Sequence, residues 1–276
     1  MAGLAAQAPR VSTDVIRVAT GGLNHSVCKW CYPSLTVDAL ARAGRTMGLR
    51  SVELLGPQDW PAVVKHGLIC AMANGPAAPE GMQFITHGFN RRAHHDWLIP
   101  GYKNRIKAVA EAGFPNVICF SGNRAGLDDE AGLVNCTTGL KQVLPTAERL
   151  GVTVCMELLN SKVDHRDYQC DHTAWGVELV KRVGSDRFRL LYDIYHMQIM
   201  EGDVIRTIRT YHDAIAHFHT GGVPGRHEID DTQELNYSAV MRAIVATGYT
   251  GFVAQEFIPT REPLSSLREG IGICSV

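Results

Sequence analysis

The chain has 276 residues, 45% hydrophobic and 20% charged, and its 27 Lys and Arg against 28 Asp and Glu give a formal net charge of -1. That length suits one large α/β barrel or two small domains. Near-neutrality offers no electrostatic attraction to nucleic acid or to an anionic membrane surface, and no apolar run approaches the roughly 20 residues of a membrane span.

The opening Met1 to Arg10 lacks a charged region ahead of an apolar block, so a loose tail over about residues 1–14 is expected rather than an export signal. Eight short apolar segments follow, each succeeded by a helical pattern. The first runs from His25 to Cys31 and leads to a helix over Thr36 to Met47, closed by Gly48. The second is Ser51 to Leu55, with a short helix from Pro57 to His66. The third, Leu68 to Ala73, gives way to a Gly-, Pro- and Ala-rich loop from Asn74 to Gly88, then to a long amphipathic pattern from Arg91 to Gly113. Asn116 to Phe120 is the fourth, with a helix over Asp129 to Leu150; Thr153 to Leu158 is the fifth, with a helix over Thr173 to Val183. The sixth is Arg189 to Asp193, its helix Asp203 to His212. The seventh is Ile215 to His219, after which Asn236 is a good N-cap for a helix from Tyr237 to Thr247. Gly251 to Glu256 is the eighth, and Pro263 to Ile273 forms the last helix.

Strands alternating with helices imply a parallel sheet, and eight repeats imply closure into a (β/α)8 TIM barrel, one domain end to end. No GxGxxG follows the first strand, which disfavours a dinucleotide fold. Cys70, Cys119 and Cys155 lie in apolar strand-like segments, as small buried hydrophobes do in reducing compartments, so a cytoplasmic setting is expected. Cys28-Lys-Trp-Cys31 has CxxC spacing but no second pair, and reads as structural or pocket wall rather than zinc-binding.

Active sites of such barrels sit at the C-terminal strand ends. Four strands here end in groups that ligate metal: Val-Cys-Met-Glu157, Leu-Leu-Tyr-Asp193, Ala-His-Phe-His219 and Val-Ala-Gln-Glu256. Strand alternation puts Thr153, Cys155 and Glu157 on one side, as it does Leu191 with Asp193, His217 with His219 and Ala254 with Glu256. A lone strand-end carboxylate more often caps a helix or pairs with a cation; four together point to one divalent ion. Three carboxylates and an imidazole suit Mn²⁺ or Mg²⁺, with Zn²⁺ or Co²⁺ as further fits.

Tyr192-Asp-Ile-Tyr-His-Met-Gln198 with Met200-Glu-Gly202, Pro224-Gly-Arg226 with Glu228, Glu234-Leu-Asn-Tyr237 and Glu157-Leu-Leu-Asn160 resemble the hydroxypyruvate isomerase family of xylose isomerase-like barrels, which are related to the ketose 3-epimerases. The resemblance covers the chain from about His25 onward. It implies Glu157, Asp193, His219 and Glu256 as metal ligands and Glu157 with Glu256 as the acid/base pair. It also implies proton transfer through an enediolate, and a homo-oligomer of two or four chains. His219 departs from the family pattern, because hydroxypyruvate isomerases commonly carry Gln there and epimerases His. His196 is placed to bond a substrate hydroxyl or oxyanion, with a helix-capping histidine as the competing reading. Arg226 is placed to pair with a substrate carboxylate, with a solvated loop arginine as its competitor. Trp30 and Tyr32 are either pocket wall or core, and His217 is expected behind the ligands. His94, His95 and His165 are expected in solvent, and His87 in a loop that covers the site.

The leading expectation is therefore a metal-dependent isomerase acting on a small hydroxy-carbonyl acid or sugar. A ketose 3-epimerase is the first alternative. An endonuclease IV-like DNA-repair enzyme would need a basic groove, and a non-catalytic sugar-binding protein would not need two glutamates at one ion.

Overall fold

The structure, a computed structural model, describes residues 22–276, so the expected tail over residues 1–14 lies outside the described residues. Eight strands form one parallel sheet: β1 Asn24–Cys28, β2 Ser51–Glu53, β3 Met72–Ala73, β4 Asn116–Cys119, β5 Thr153–Glu157, β6 Phe188–Asp193, β7 Ile215–Thr220 and β8 Phe252–Gln255. Their order is β2-β1-β8-β7-β6-β5-β4-β3. The two ends meet through parallel bridges pairing Ser51 with Ile69 and Leu55 with Ala73, which completes a (β/α)8 barrel. Every residue of β1, β2, β4 and β8 is buried, as expected of parallel strands covered on both faces.

The helices are α1 Val37–Thr46, α2 Trp60–Val64, α3 His95–Glu111, α4 Asp129–Leu150, α5 Thr173–Val183, α6 Ile194–Met200, α7 Val204–Tyr211, α8 Tyr237–Ala246 and α9 Pro263–Cys274. Their boundaries follow local chemistry. Side chains of Thr36, Asp128 and Asn236 accept the backbone N–H of Ala39, Ala131 and Ala239 at the starts of α1, α4 and α8. Gly151 and Gly184 end α4 and α5 at φ of 74° and 69°, the left-handed conformation that costs a glycine little. Among the described residues, no helix is long and apolar enough to cross a membrane.

Three predicted elements differ. The third strand shrinks from Leu68–Ala73 to Met72–Ala73 because side chains replace ladder bonds at Ala71: Ser51 Oγ accepts its N–H (2.9 Å) and Asn116 Nδ2 donates to its carbonyl (2.8 Å). The first strand stops at Cys28, and Lys29–Cys31 becomes one 3-10 turn over the barrel rim. Between Asp193 and the helix expected from Asp203 lies a further helix, α6: Asp193 Oδ1 accepts the His196 N–H (3.3 Å) and so caps it. A run of seven residues that is apolar nearly all round carries too little periodicity to reveal a helix.

The loops after β7 and β8 are tied together by Glu228. Its carboxylate accepts from Thr260 N (2.9 Å), Thr260 Oγ1 (2.9 Å), Arg261 N (3.2 Å) and Ser266 Oγ (2.8 Å). Burial opposes its ionisation, but these bonds hold its pKa down at about 2. A carboxylate depressed on folding stabilises the fold fully above its unfolded pKa of about 4.5, and the contribution fades as pH falls through about 2. Glu228→Gln is accordingly expected to cost about 1–3 kcal/mol at neutral pH by urea unfolding. The gap from the parent protein should close as pH drops from 5 towards 2.

Candidate active site

Strand register carries the four predicted ligand-type residues to one rim. Glu157 lies opposite Leu191, Asp193 opposite His219, and His219 opposite Ala254, two residues before Glu256. Each of Glu157, Asp193, His219 and Glu256 is buried, and each offers one ligand atom within 4.8 Å of the others. His219 Nδ1 is 3.4 Å from Glu157 Oε1 and 2.5 Å from Glu256 Oε2, yet it makes no hydrogen bond with any described residue. Those oxygens lie off the in-plane direction of the ring nitrogen, so the contacts are close without being hydrogen bonds. Such a convergence of negative groups is unfavourable in a buried site without a cation. The donor set fits a divalent ion.

Arg226 supplies positive charge at the edge of the cluster. Its Nη2 donates to Asp193 Oδ2 (2.6 Å) and Glu256 Oε2 (2.5 Å), and its Nε donates to the Glu256 carbonyl (3.0 Å). It is 9% exposed, so the reading of a solvated loop arginine is corrected. The turn from Gly221 to Arg226 aims it inward, with Arg226 N bonding the Gly222 carbonyl (2.8 Å) and its own carbonyl accepting from Ile258 N (2.7 Å). Arg226 sits at φ 58°, a left-handed conformation that costs a side-chain-bearing residue about 1–2 kcal/mol. Strain of this kind persists where the surroundings over-determine it.

Environment separates the two glutamates. Burial raises the pKa of Glu157. Burial would do the same to Glu256, but His219 and Arg226 hold it well below the usual carboxylate range. Burial also pushes Asp193 up, to about 7, against the opposing pull of Arg226.

His196, from the first turn of α6, is fully buried between Asn160 and Arg226. Asn160 Oδ1 accepts the backbone N–H of Val163 (3.0 Å) and Asp164 (2.9 Å), which turns its Nδ2 toward His196 Nδ1 at 2.7 Å. Nδ1 is then an acceptor, and the ring hydrogen sits on Nε2, which faces Arg226 Nη1 at 2.6 Å. Burial first, and Arg226 second, lower this imidazole well below its ordinary pKa. A neutral ring accepts at only one nitrogen, so one of its two close donor contacts lacks an acceptor.

Behind the cluster stands Glu53, which the sequence reading passed over. Its Oε1 accepts from His217 Nε2 (2.7 Å) and His219 Nε2 (2.9 Å), and all three side chains are fully buried. That contact fixes the His219 tautomer and leaves Nδ1 for the cluster, the usual device by which a carboxylate orients a ligating imidazole. The signal was available, since Ser51-Val-Glu53 ends a strand in a carboxylate just as β5 and β6 do. His217 lies behind the ligands as expected.

The cluster opens into a cavity of about 390 Å³ that Glu157, Glu256, His196 and Arg226 help to line. Trp30, 46% exposed on the 3-10 turn, also lines this cavity and donates from Nε1 to Glu256 Oε1 (2.6 Å). Tyr32 is core, packed edge-on against Phe257. His165, expected in solvent, lines the cavity with its ring 5.3 Å from that of His196. His95 is buried on the Phe89 carbonyl (2.9 Å), which α3 brings into range. From the loop over residues 74–88, Asn74, Phe84 and Ile85 face the cavity, whereas His87 bonds within the loop to Gln83 N (3.0 Å).

Residues 43–274 match the family model described as xylose isomerase-like TIM barrel. The chain is 33% identical to the hydroxypyruvate isomerase of Escherichia coli, across 84% of this chain and 92% of that one. It is 26% identical to the 2-oxo-tetronate isomerase of Haemophilus influenzae, across 83% and 89%. Among solved structures, an AP endonuclease of family 2 from Brucella melitensis superposes with a TM-score of 0.77 at 25% identity, covering 89% of this chain and 96% of that one. Strand order, the shared rim and these matches agree: the chain belongs to the xylose isomerase-like TIM barrel family and, like its named relatives, is an isomerase.

Proposed function

We propose that this isomerase interconverts small hydroxy-carbonyl acids of the hydroxypyruvate type, with a divalent ion held by Glu157, Asp193, His219 and Glu256. One observation carries the reading: two glutamates of the same four-residue cluster also line the cavity, together with an arginine and a histidine. Mn²⁺ or Mg²⁺ suits three carboxylates and an imidazole, and Zn²⁺ or Co²⁺ is compatible with the nitrogen ligand. Bound there, such an ion polarises a substrate carbonyl and the neighbouring hydroxyl, which acidifies the C–H of the hydroxyl-bearing carbon.

The chain's own residues do the rest. One of Glu157 and Glu256 removes that proton, giving an enediolate, and one of them returns a proton to the former carbonyl carbon. The hydroxyl proton passes to the former carbonyl oxygen, so hydroxypyruvate becomes tartronate semialdehyde. The substrate carboxylate docks from the cavity side against Arg226, with His196 beside it. Trp30 shields the reacting carbons from water.

A ketose 3-epimerase is kept as the second reading by His219, the imidazole among the ligands. There the proton returns to its original carbon from the opposite face. The nuclease reading, suggested by the name of the Brucella structure, is opposed by 27 Lys and Arg against 28 Asp and Glu, since phosphate-backbone binding needs a basic face. Metal analysis followed by solvent-deuterium exchange tests the proposal, with hydroxypyruvate, 2-oxo-tetronate and several ketoses as substrates. The expected result is one divalent ion per chain, with deuterium entering an acid at the carbon next to the carboxylate. Exchange confined to C3 of a ketose would move the assignment to epimerase. A protein that binds no metal and exchanges none of these hydrogens would refute it.

A further inference from the structure

We infer that the substrate is a 3-hydroxy-2-oxo acid bearing an apolar alkyl or aryl group on its hydroxyl-bearing carbon, in preference to hydroxypyruvate itself or a polyhydroxylated sugar. The chemistry rests on the isomerase reading above; the substituent is read from the apolar part of the cavity lining. There the wall is Leu54, Phe84, Ile85, Ile118, Phe120 and Leu159. Ile118 and Phe120 come from β4 and the residue after it, and Phe84 stacks edge-on against Phe120 with ring centroids 4.8 Å apart. The wall is therefore anchored in the sheet, and the loop closes onto it.

Polar groups along that part are few. Asn74 has its Nδ2 donated to the Leu54 carbonyl (2.9 Å), and His165 stands instead beside His196, with ring centroids 5.3 Å apart. A sugar chain laid along this wall would leave several hydroxyls without partners, and each costs about tenfold in affinity. A cavity of about 390 Å³ falls in the range of roughly 300–1,000 Å³ that holds ligands of drug size. Hydroxypyruvate would fill only the polar end and leave the apolar surface wet, whereas each methylene buried there gains about fourfold in binding. The charged groups fix which end of the ligand goes where. The carboxylate and the two oxygens lie with Arg226, His196 and the glutamates, and the substituent points at Ile118 and Phe120.

For a substituent R the reaction is R-CH(OH)-CO-COO⁻ to R-CO-CH(OH)-COO⁻. The C–H bond on the carbon bearing R breaks, a C–H bond forms on the carbon next to the carboxylate, and the hydroxyl proton moves to the other oxygen. No oxidant, reductant or second substrate takes part.

Two measurements on the Mn²⁺-supplemented full chain test this. Calorimetric titration with lactate, 2-hydroxyhexanoate and 3-phenyllactate, none of which can be isomerised, reads the tail preference without turnover. Affinity is expected to rise at least tenfold from lactate to either longer acid, and Ile118→Thr and Phe84→Ser are each expected to cut that ratio at least threefold. Phe84 is on a loop and half-buried, so its variant tests the idea even if Ile118→Thr fails to fold. In parallel, kcat/KM is compared for R as hydrogen, hydroxymethyl, propyl and phenyl, with the last two expected at least tenfold above hydrogen. Equal affinities for the three hydroxy acids, or hydrogen and hydroxymethyl as the best substrates, would overturn the inference while leaving the isomerase reading intact. Tight binding of the apolar acids with no isomerisation of any substrate would instead remove the isomerase reading and keep the ligand class.

Discussion

Glu157→Gln and Glu256→Gln are each expected to lower kcat by roughly 10²–10⁴-fold, the usual contribution of a positioned acid or base. Both residues sit at the cluster and both line the cavity, so each change strikes proton transfer and ion binding together. Saturating Mn²⁺ separates the two effects: weakened ion binding is rescued by excess metal, whereas a missing proton carrier is not. The fall in kcat should therefore persist at metal concentrations that restore full occupancy, measured by elemental analysis on the same samples. Glutamine keeps the shape and one acceptor oxygen, which preserves packing around two buried side chains. Turnover within threefold of the parent in either variant at full occupancy would remove that residue from the chemistry.

Glu53→Gln is expected to weaken Mn²⁺ binding by about 10–100-fold although Glu53 belongs to neither the four-residue cluster nor the cavity lining. Its Oε1 holds the Nε2–H of His219 and of His217, and its own pKa lies at about 2 because the two imidazoles outweigh the penalty of burial. Replacing the carboxylate by an amide removes the charge that would strengthen His219 as a ligand in the proposed site and offers a donor where only an acceptor is wanted. Ring orientation loosens, and Nδ1 no longer points reliably at the ion. Glu53→Ala goes further, leaving two buried imidazoles without their acceptor, and is expected to cost about 3–5 kcal/mol of stability. Electron paramagnetic resonance of titrated Mn²⁺ gives the affinity directly. A dissociation constant within twofold of the parent in Glu53→Gln would show that barrel packing alone holds His219.

How much of this was legible beforehand differs residue by residue. Helices α4 and α5 fall where periodicity and their closing glycines put them, because a cap and an apolar stripe are encoded within a few neighbouring residues. Strand ends at Glu157, Asp193 and His219 were equally plain, since a carboxylate or imidazole stands out after a run of buried apolar positions. Short elements were not. Strand β3 lost part of its length to side chains of Ser51 and Asn116, which lie 20 and 45 residues from Ala71 in sequence. Asp193 shows the limit in the other direction: its role as the cap of α6 was hidden by its more conspicuous place among the acidic strand ends.

The sequence by itself determined the alternation of strands and helices, the side of each strand that turns inward and the four acidic or imidazole ends. Each of these depends on a period of two or 3.6 residues and on near neighbours. Only the tertiary structure decided what those ends meet. Barrel closure brings Glu53 to His219 across 166 residues, swings Trp30 onto Glu256 across 226 and puts Ile118 of β4 into one cavity lining with the glutamates. Those contacts are fixed by strand register and by the loops that cross the rim, through packing between segments that share no local pattern. The acids and the imidazole therefore read as chemistry in one dimension, while the apolar surface that shares their cavity exists only in three.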